Sequence, residues 1–399
     1  MNIIKKAYCR VFQTVLWISL PILPYREPEI IKSMRLIPDT IKSHGLTRPI
    51  IITDKGIMNL GLVNPLIDAL GKANMPYSLY DGTVANPTTK NVAEALKIYK
   101  DDKCDCIIGF GGGSSMDCAK ALGARYARPK KPLNKMKGIL KVRKKIPLLI
   151  AVPTTAGTGS ETTLAAVIVD SETRHKYAIN DFPLIPKYAV LDPETTLSLP
   201  QPITASTGMD ALTHAVEAYI GRSTTKQTRQ EALKAVKLIF ENLDTAYSDG
   251  KNIEARRNML TASYYAGCAF TKSYVGYVHA VAHSLGGEYN VPHGLANAIL
   301  FPHVLEAYGH TIDKKLHNLA IAANLATAET PDEEAAKVFI QAIKDMKIRY
   351  GIGDKISEIK KEDIPKLAGY ADKEGNPLYP VPVLMDAKEL ETFYYEVME

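Results

Sequence analysis

The chain has 399 residues, 46% hydrophobic and 23% charged, with a net charge of +6. That is the balance of an ordinary globular protein, and the length suits two or three domains. The lysines at 130–131 and 141–145 have no interleaved aromatics, so the small basic excess reads as a solvated loop and argues against a nucleic-acid partner.

At the N-terminus Lys5, Lys6 and Arg10 precede the apolar run VFQTVLWISLPILP. Gln13, Thr14 and Ser19 interrupt it, Pro21 and Pro24 end it, and no A-x-A-like cleavage site follows. It is shorter than the roughly 20 residues that span a bilayer. A packed strand or arm without a membrane role is expected. Cys9, Cys104, Cys106, Cys118 and Cys268 are odd in number, and Cys104-Asp105-Cys106 is too tight for a CxxC pair. They read as reduced thiols of a cytoplasmic protein.

From Arg48 short apolar runs alternate with helical patterns. Residues 49–53 (PIIIT) read as a strand and 58–73 as a helix, with Leu60, Leu62, Leu66, Ile67 and Leu70 in helical spacing. Residues 77–80 are a second strand and 89–99 a second helix. Residues 106–110 are a third strand, running directly into Gly111-Gly112-Gly113-Ser114-Ser115. This rhythm predicts a parallel sheet with right-handed crossovers. Consecutive glycines let backbone approach a phosphate, and the next helix presents N–H groups at its positive end. Ser114 and Ser115 suit N-caps, and Asp117 suits the first turn. GFGGGS does not satisfy GxGxxG, because Ser114 stands where the last glycine would be.

A further strand at 146–152 leads into PTTAGTGSE, whose Thr154, Thr155 and Thr158 offer hydroxyls for ribose, pyrophosphate or a carboxamide. Two small-residue loops after two strands fit a dinucleotide lying across the C-terminal edge of one sheet. Asp54, just past the first strand, is placed to accept from ribose hydroxyls. It would favour NAD over NADP, because a carboxylate repels a 2′-phosphate. Its alternative role is turn formation with Gly56.

A boundary falls near 195–202, marked by Pro200-Gln201-Pro202, and beyond it nearly everything reads as helix: 205–220, 227–243, 253–270, 333–346 and a last one from Asp386. Asp210 and His214 are four apart, and so are His279 and His283, which puts each pair on one helix face. One carboxylate with three imidazoles makes a site for a divalent transition metal with room for a substrate oxygen. His293 completes the cluster. Spacing leaves open whether His279 or His283 ligates. His44, His175, His303, His310 and His317 read as ordinary core or surface histidines.

Assembled, these stretches resemble the iron-containing (group III) alcohol dehydrogenases, which share a fold with glycerol dehydrogenases and dehydroquinate synthases. The resemblance covers roughly residues 45–395, through GGGSSMDCAK, PTTAGTGSE, DALTHAVEAY and HAVAHSLGGEYNVPHGLAN in that order. It implies an α/β nucleotide-binding domain with a parallel sheet, here 1–198 including the N-terminal arm, an all-α domain at 199–399, and an active site in the cleft between them. It implies Asp210, His214, His279 and His293 as metal ligands, with Fe2+ expected and Zn2+ the alternative. His283 is then left beside the nicotinamide as the catalytic proton relay. It assigns Asp54, Asn86, Gly112, Gly113, Ser114, Ser115, Thr154, Thr155, Thr158 and Lys176 to NAD. The chain departs from many members at Leu23–Pro28, in the long apolar arm and in the lysine-rich 130–145 insert. Lys272, Tyr274 and Tyr277 could reshape the alcohol pocket.

The expected activity is reversible oxidation of a primary alcohol or short diol to its aldehyde, by a homodimer or larger homo-oligomer. A metal-dependent hydrolase, or a lyase of the dehydroquinate synthase kind, could use the same ligands. A hydrolase has no use for the glycine loops, however, and the lyase would want more cleft cations than Lys176 and Lys272. A non-catalytic scaffold or NAD sensor predicts an eroded ligand set, whereas all four ligands are present.

Overall fold

The computed structural model describes every residue of 1–399 except Arg174. Contacts divide the chain into two compact units, Pro24–Leu199 and Pro200–Glu399 with Met1–Leu23. The N-terminal segment, expected as a strand or arm of the α/β domain, is therefore a helix of the other unit, α1 (Ile3–Ser19), with Asn2 as its N-cap. Two polar side chains of α1 tie it to that unit. Gln13 is buried and donates to the Pro377 and Tyr379 carbonyls, while Arg10 donates to the Val381 and Pro382 carbonyls. Cys9 and Leu20 share that buried face.

The α/β unit carries β1 (Glu29–Ile31), α2 (Ile37–Ser43), β2 (Pro49–Ile52), α3 (Lys55–Asn59), α4 (Asn64–Lys72), β3 (Ser78–Tyr80), α5 (Thr89–Asp101), β4 (Cys106–Gly111) and α6 (Gly113–Ala127). It continues with β5 (Gly138–Ile139), β6 (Leu148–Pro153), β7 (Ala165–Val169), β8 (Lys176–Asn180) and β9 (Tyr188–Val190). Six strands form one sheet in the order β1-β9-β6-β4-β2-β3, every pair parallel. A second sheet, β5-β8-β7, has one parallel and one antiparallel pair. Strand alternation divides the core by face: Ile50, Ile52, Ile107 and Leu149 pack in one cluster, Ile51, Ile108, Phe110 and Ile150 in the other.

The single helix expected over 58–73 is two, α3 and α4. Gly61 takes a left-handed φ of +67° between them, and Pro65 in the first turn of α4 restarts the helix. Strands β1, β5, β7, β8 and β9 have no counterpart among the strands expected from the sequence.

The second unit adds α7 (Gln201–Ile220), α8 (Lys226–Ser248), α9 (Ile253–Ser273), α10 (Tyr277–Tyr289), α11 (His293–Tyr308), α12 (Asp313–Ala322), α13 (Asp332–Arg349), α14 (Ile364–Gly375) and α15 (Ala387–Val397). It holds no strand among the described residues. Gly208 lets α7 and α8 approach closely, because a Cβ there would lie 2.4 Å from Leu243 Cδ1. The five cysteines are free and buried.

Candidate functional site

Two groups of side chains stand out, one in each unit. In the α/β unit, eight of the ten residues expected at a nucleotide follow β2, β4 and β6: Asp54, Gly112 to Ser115 at the start of α6, and Thr154, Thr155 and Thr158; Asn86 lies between β3 and α5, and Lys176 opens β8 of the second sheet. Thr154 N–H donates to the Gly111 carbonyl at 3.0 Å, joining the two small-residue loops. Gly111 has φ +146°, and a Cβ on it would meet Ser115 Oγ at 2.6 Å, so only glycine fits there. A Cβ on Gly113 would come within 3.3 Å of Thr158 Oγ1, and one on Gly112 within 3.9 Å of Thr155 Oγ1. Asn86 accepts from Lys176 Nζ at 2.7 Å, and its N–H reaches Ser114 Oγ at 3.3 Å.

Asp54 has a structural task as well: Oδ1 caps α3 by accepting from Ile57 N–H at 3.0 Å, while Oδ2 accepts from Ser115 Oγ at 3.3 Å. The N-cap of α6 is Gly112, with no side-chain capping bond, so Ser114 and Ser115 lie inside the first turn and do not cap it. Its leading N–H groups face the loop, as a phosphate site requires. Asp117, expected in that turn, lies deeper. Its carboxylate accepts from Ser160 Oγ at 2.9 Å and Val167 N–H at 3.0 Å. Lys120, fully buried, donates to Ser160, Thr163 and the Ala165 carbonyl, using all three ammonium hydrogens. Burial pushes Lys120 down to about 8, opposed by Asp117 and Glu161. Both residues thus tie α6 to the loop after β6. Their positions in the glycine-loop motifs were the only available sign of this task.

In the helical unit Asp210, His214, His279 and His293 each offer one ligand atom, all within 4.8 Å of one another. Asp210 and His214 share a face of α7, His279 sits in the first turn of α10, and His293 opens α11. Asp210 Oδ1 is 3.8 Å from His279 Nε2 and 3.5 Å from His293 Nε2. Asp210, His214 and His279 are buried, whereas His293 is only partly so, which leaves one side of the cluster open. His214 Nδ1 lies 2.9 Å from the Asp210 carbonyl, and the ring stacks on Phe270 at 4.2 Å. That bond places the proton on Nδ1 and frees Nε2. Burial lowers the pKa of His214, and burial with the neighbouring imidazoles holds His279 well below the usual histidine value. Both rings are neutral, as ligands must be.

The donor set fits a cation. Asn297 Nδ2 lies 2.7 Å from Asp210 Oδ1 and 3.1 Å from both His279 Nε2 and His293 Nε2, while its buried Oδ1 has no partner. One amide has two hydrogens for three converging lone pairs, so the cluster offers more acceptors than protein donors can satisfy. A divalent metal suits such a donor set.

Two carboxylates that spacing did not reveal serve this cluster. Glu217, on α7 and buried, accepts from His279 Nδ1 at 2.6 Å, Gly276 N–H at 2.8 Å and Val278 N–H at 2.9 Å. Burial pushes it up to about 8, opposed by those donors. The bond fixes His279 with Nε2 toward the cluster, as carboxylates behind metal-bound histidines do. Glu217→Gln presents an amide N–H to one of those donors, so metal affinity should fall about 10–100-fold. Competition with a chromogenic chelator measures it. Glu374 accepts from Tyr379 Oη at 2.6 Å and pairs with His283 Nδ1 at 2.5 Å. Burial raises its pKa, but the His283 charge and the hydrogen bonds from His283 and Tyr379 hold it below the ordinary glutamate value. His283 stacks on His293 at 5.1 Å and is partly exposed.

The family model for "iron-containing alcohol dehydrogenase" matches residues 31–193, and that for the "Fe-containing alcohol dehydrogenase family, C-terminal" matches 204–397. The chain is 37% identical over 348 residues to a 1,3-propanediol dehydrogenase of Citrobacter freundii, covering 86% of this chain and 90% of the relative. An alcohol dehydrogenase from Oenococcus oeni superposes with a TM-score of 0.89 at 34% identity, over 94% of this chain and 100% of that one. A sulfoacetaldehyde reductase from Bifidobacterium kashiwanohense in complex with NAD+ superposes with a TM-score of 0.82 at 28% identity, over 94% and 98%. The chain belongs to the iron-containing alcohol dehydrogenase family, and its activity is the interconversion of alcohol and aldehyde.

Proposed function

We propose that Asp210, His214, His279 and His293 hold Fe2+, with Zn2+ as the alternative metal, and that the enzyme oxidises a primary alcohol or short diol with NAD. The observation that carries this reading is the convergence of four ligand atoms within 4.8 Å, three of them from buried residues. A divalent metal, when bound, supplies Lewis acidity that lowers the pKa of the alcohol hydroxyl. NAD, when bound, supplies the hydride acceptor. The glycine loop and the leading N–H groups of α6 suit its pyrophosphate. The Asp54 carboxylate disfavours a 2′-phosphate, which selects NAD over NADP.

The chain's own residues do the rest. Glu217 and the Asp210 carbonyl orient His279 and His214 with Nε2 inward. His283, its Nδ1 held by Glu374, uses Nε2 to take the hydroxyl proton and pass it to solvent. The propanediol relative favours a short diol as substrate. The five buried free cysteines favour a reducing, cytoplasmic location. Anaerobic incubation with NAD, Fe2+ and a panel of short alcohols and diols is expected to produce NADH absorbance. No NADH with any of them, despite bound metal, would sink the reading.

A further inference from the structure

We propose that α1 is a homodimerisation helix, pairing along one seam with α1 of a second copy of this chain. Ile4, Tyr8, Val11, Val15 and Ile18 recur at spacings of four and three and fall within an arc of roughly 80° on a helical wheel. They are 79%, 59%, 64%, 62% and 64% exposed, and Ile22 beyond the helix end is 84% exposed. The alternating spacing is that of a heptad seam, whose apolar positions seek another helix. The opposite face is clamped: Gln13 and Arg10 hold backbone carbonyls of residues 377–382, Lys5 Nζ pairs with Asp372 at 2.7 Å, and Trp17 Nε1 donates to the Thr224 carbonyl at 3.1 Å. The seam is thus presented on a rigid support. The family models begin matching at residue 31, so α1 is an addition to the part that carries the family's chemistry.

A second copy fits this seam better than a lipid surface. The positions flanking it are Ala7, Phe12, Thr14 and Ser19, none of them charged. A two-fold pair brings residues near the axis against their own copies, where like charges would repel, and this seam has none. Interfacial membrane helices carry many cations, whereas Lys5 and Arg10 here are tied to the protein, leaving Lys6 as the one basic residue of α1 without a described partner. Five side chains this exposed would hide on the order of 600 Å2 per copy, or about 1,200 Å2 in all, above the roughly 1,000 Å2 that a specific interface needs. Among the described residues no helix is long and apolar enough to cross a membrane.

Val11 lies mid-seam, so it meets Val11 of the partner in a parallel or an antiparallel pair. The test is Val11→Cys in the full-length metal-loaded enzyme, treated with a short bismaleimide; the native cysteines are buried and give little background. A covalent dimer on a denaturing gel is expected. Sedimentation of the Val11→Glu/Val15→Glu double variant should show the oligomer of the parent halved in mass, with alcohol oxidation per subunit retained. No cross-link together with an unchanged mass would overturn the proposal. So would absence of the cross-link with the parent, but not the double variant, floating on vesicles of anionic phospholipid.

Discussion

Asp210→Asn is expected to strip the enzyme of metal and lower kcat/KM by about 10³-fold or more, since Lewis acidity contributes several kcal/mol to such reactions. Asp210 supplies the only carboxylate among the four proposed ligands. Asparagine keeps the shape and leaves α7 intact, but offers a neutral oxygen or an N–H that competes with Asn297 for the same space. Metal content by atomic absorption, with circular dichroism to verify the fold, separates lost metal from lost structure. Full metal occupancy in a variant that has lost activity would assign Asp210 to some task other than ligation.

His283→Ala should behave differently. It removes the ring whose Nδ1 is held by Glu374 at 2.5 Å and which stacks on His293 without belonging to the four converging ligands. Turnover is expected to fall about 10²-fold or more, the scale of lost general acid–base catalysis, while metal content stays near that of the parent. Glu374→Gln should weaken turnover by less, because it loosens His283 without deleting it. Raising the pH should rescue His283→Ala in part, since hydroxide can then accept the proton. Loss of metal from His283→Ala would return this histidine to the ligand set.

These predictions depend on distinctions of unequal visibility in the sequence. The pair Asp210 and His214 was legible at once, because two residues four apart on a helix share a face whatever that helix packs against. The parallel sheet was legible too: β2 and β4 are buried on both sides and read as uninterrupted apolar runs. The place of α1 was not legible, because Gln13 and Arg10 reach carbonyls more than 360 residues away. The break between α3 and α4 depended on Gly61 taking a positive φ, which glycine permits but does not demand.

What the sequence by itself determined was the chemistry on offer: one carboxylate and four imidazoles clustered along the chain, and two small-residue loops following strands. The tertiary structure alone decided how they are shared out. His279 and His283 are alike by spacing, yet Glu217, 62 residues before His279, turns one inward, while Glu374, 91 residues after His283, holds the other beside the ligand group. Which imidazole joins the proposed ligand set is therefore a matter of which carboxylate packs behind it, and periodicity along a single helix carries no record of a partner brought in by α7 or α14.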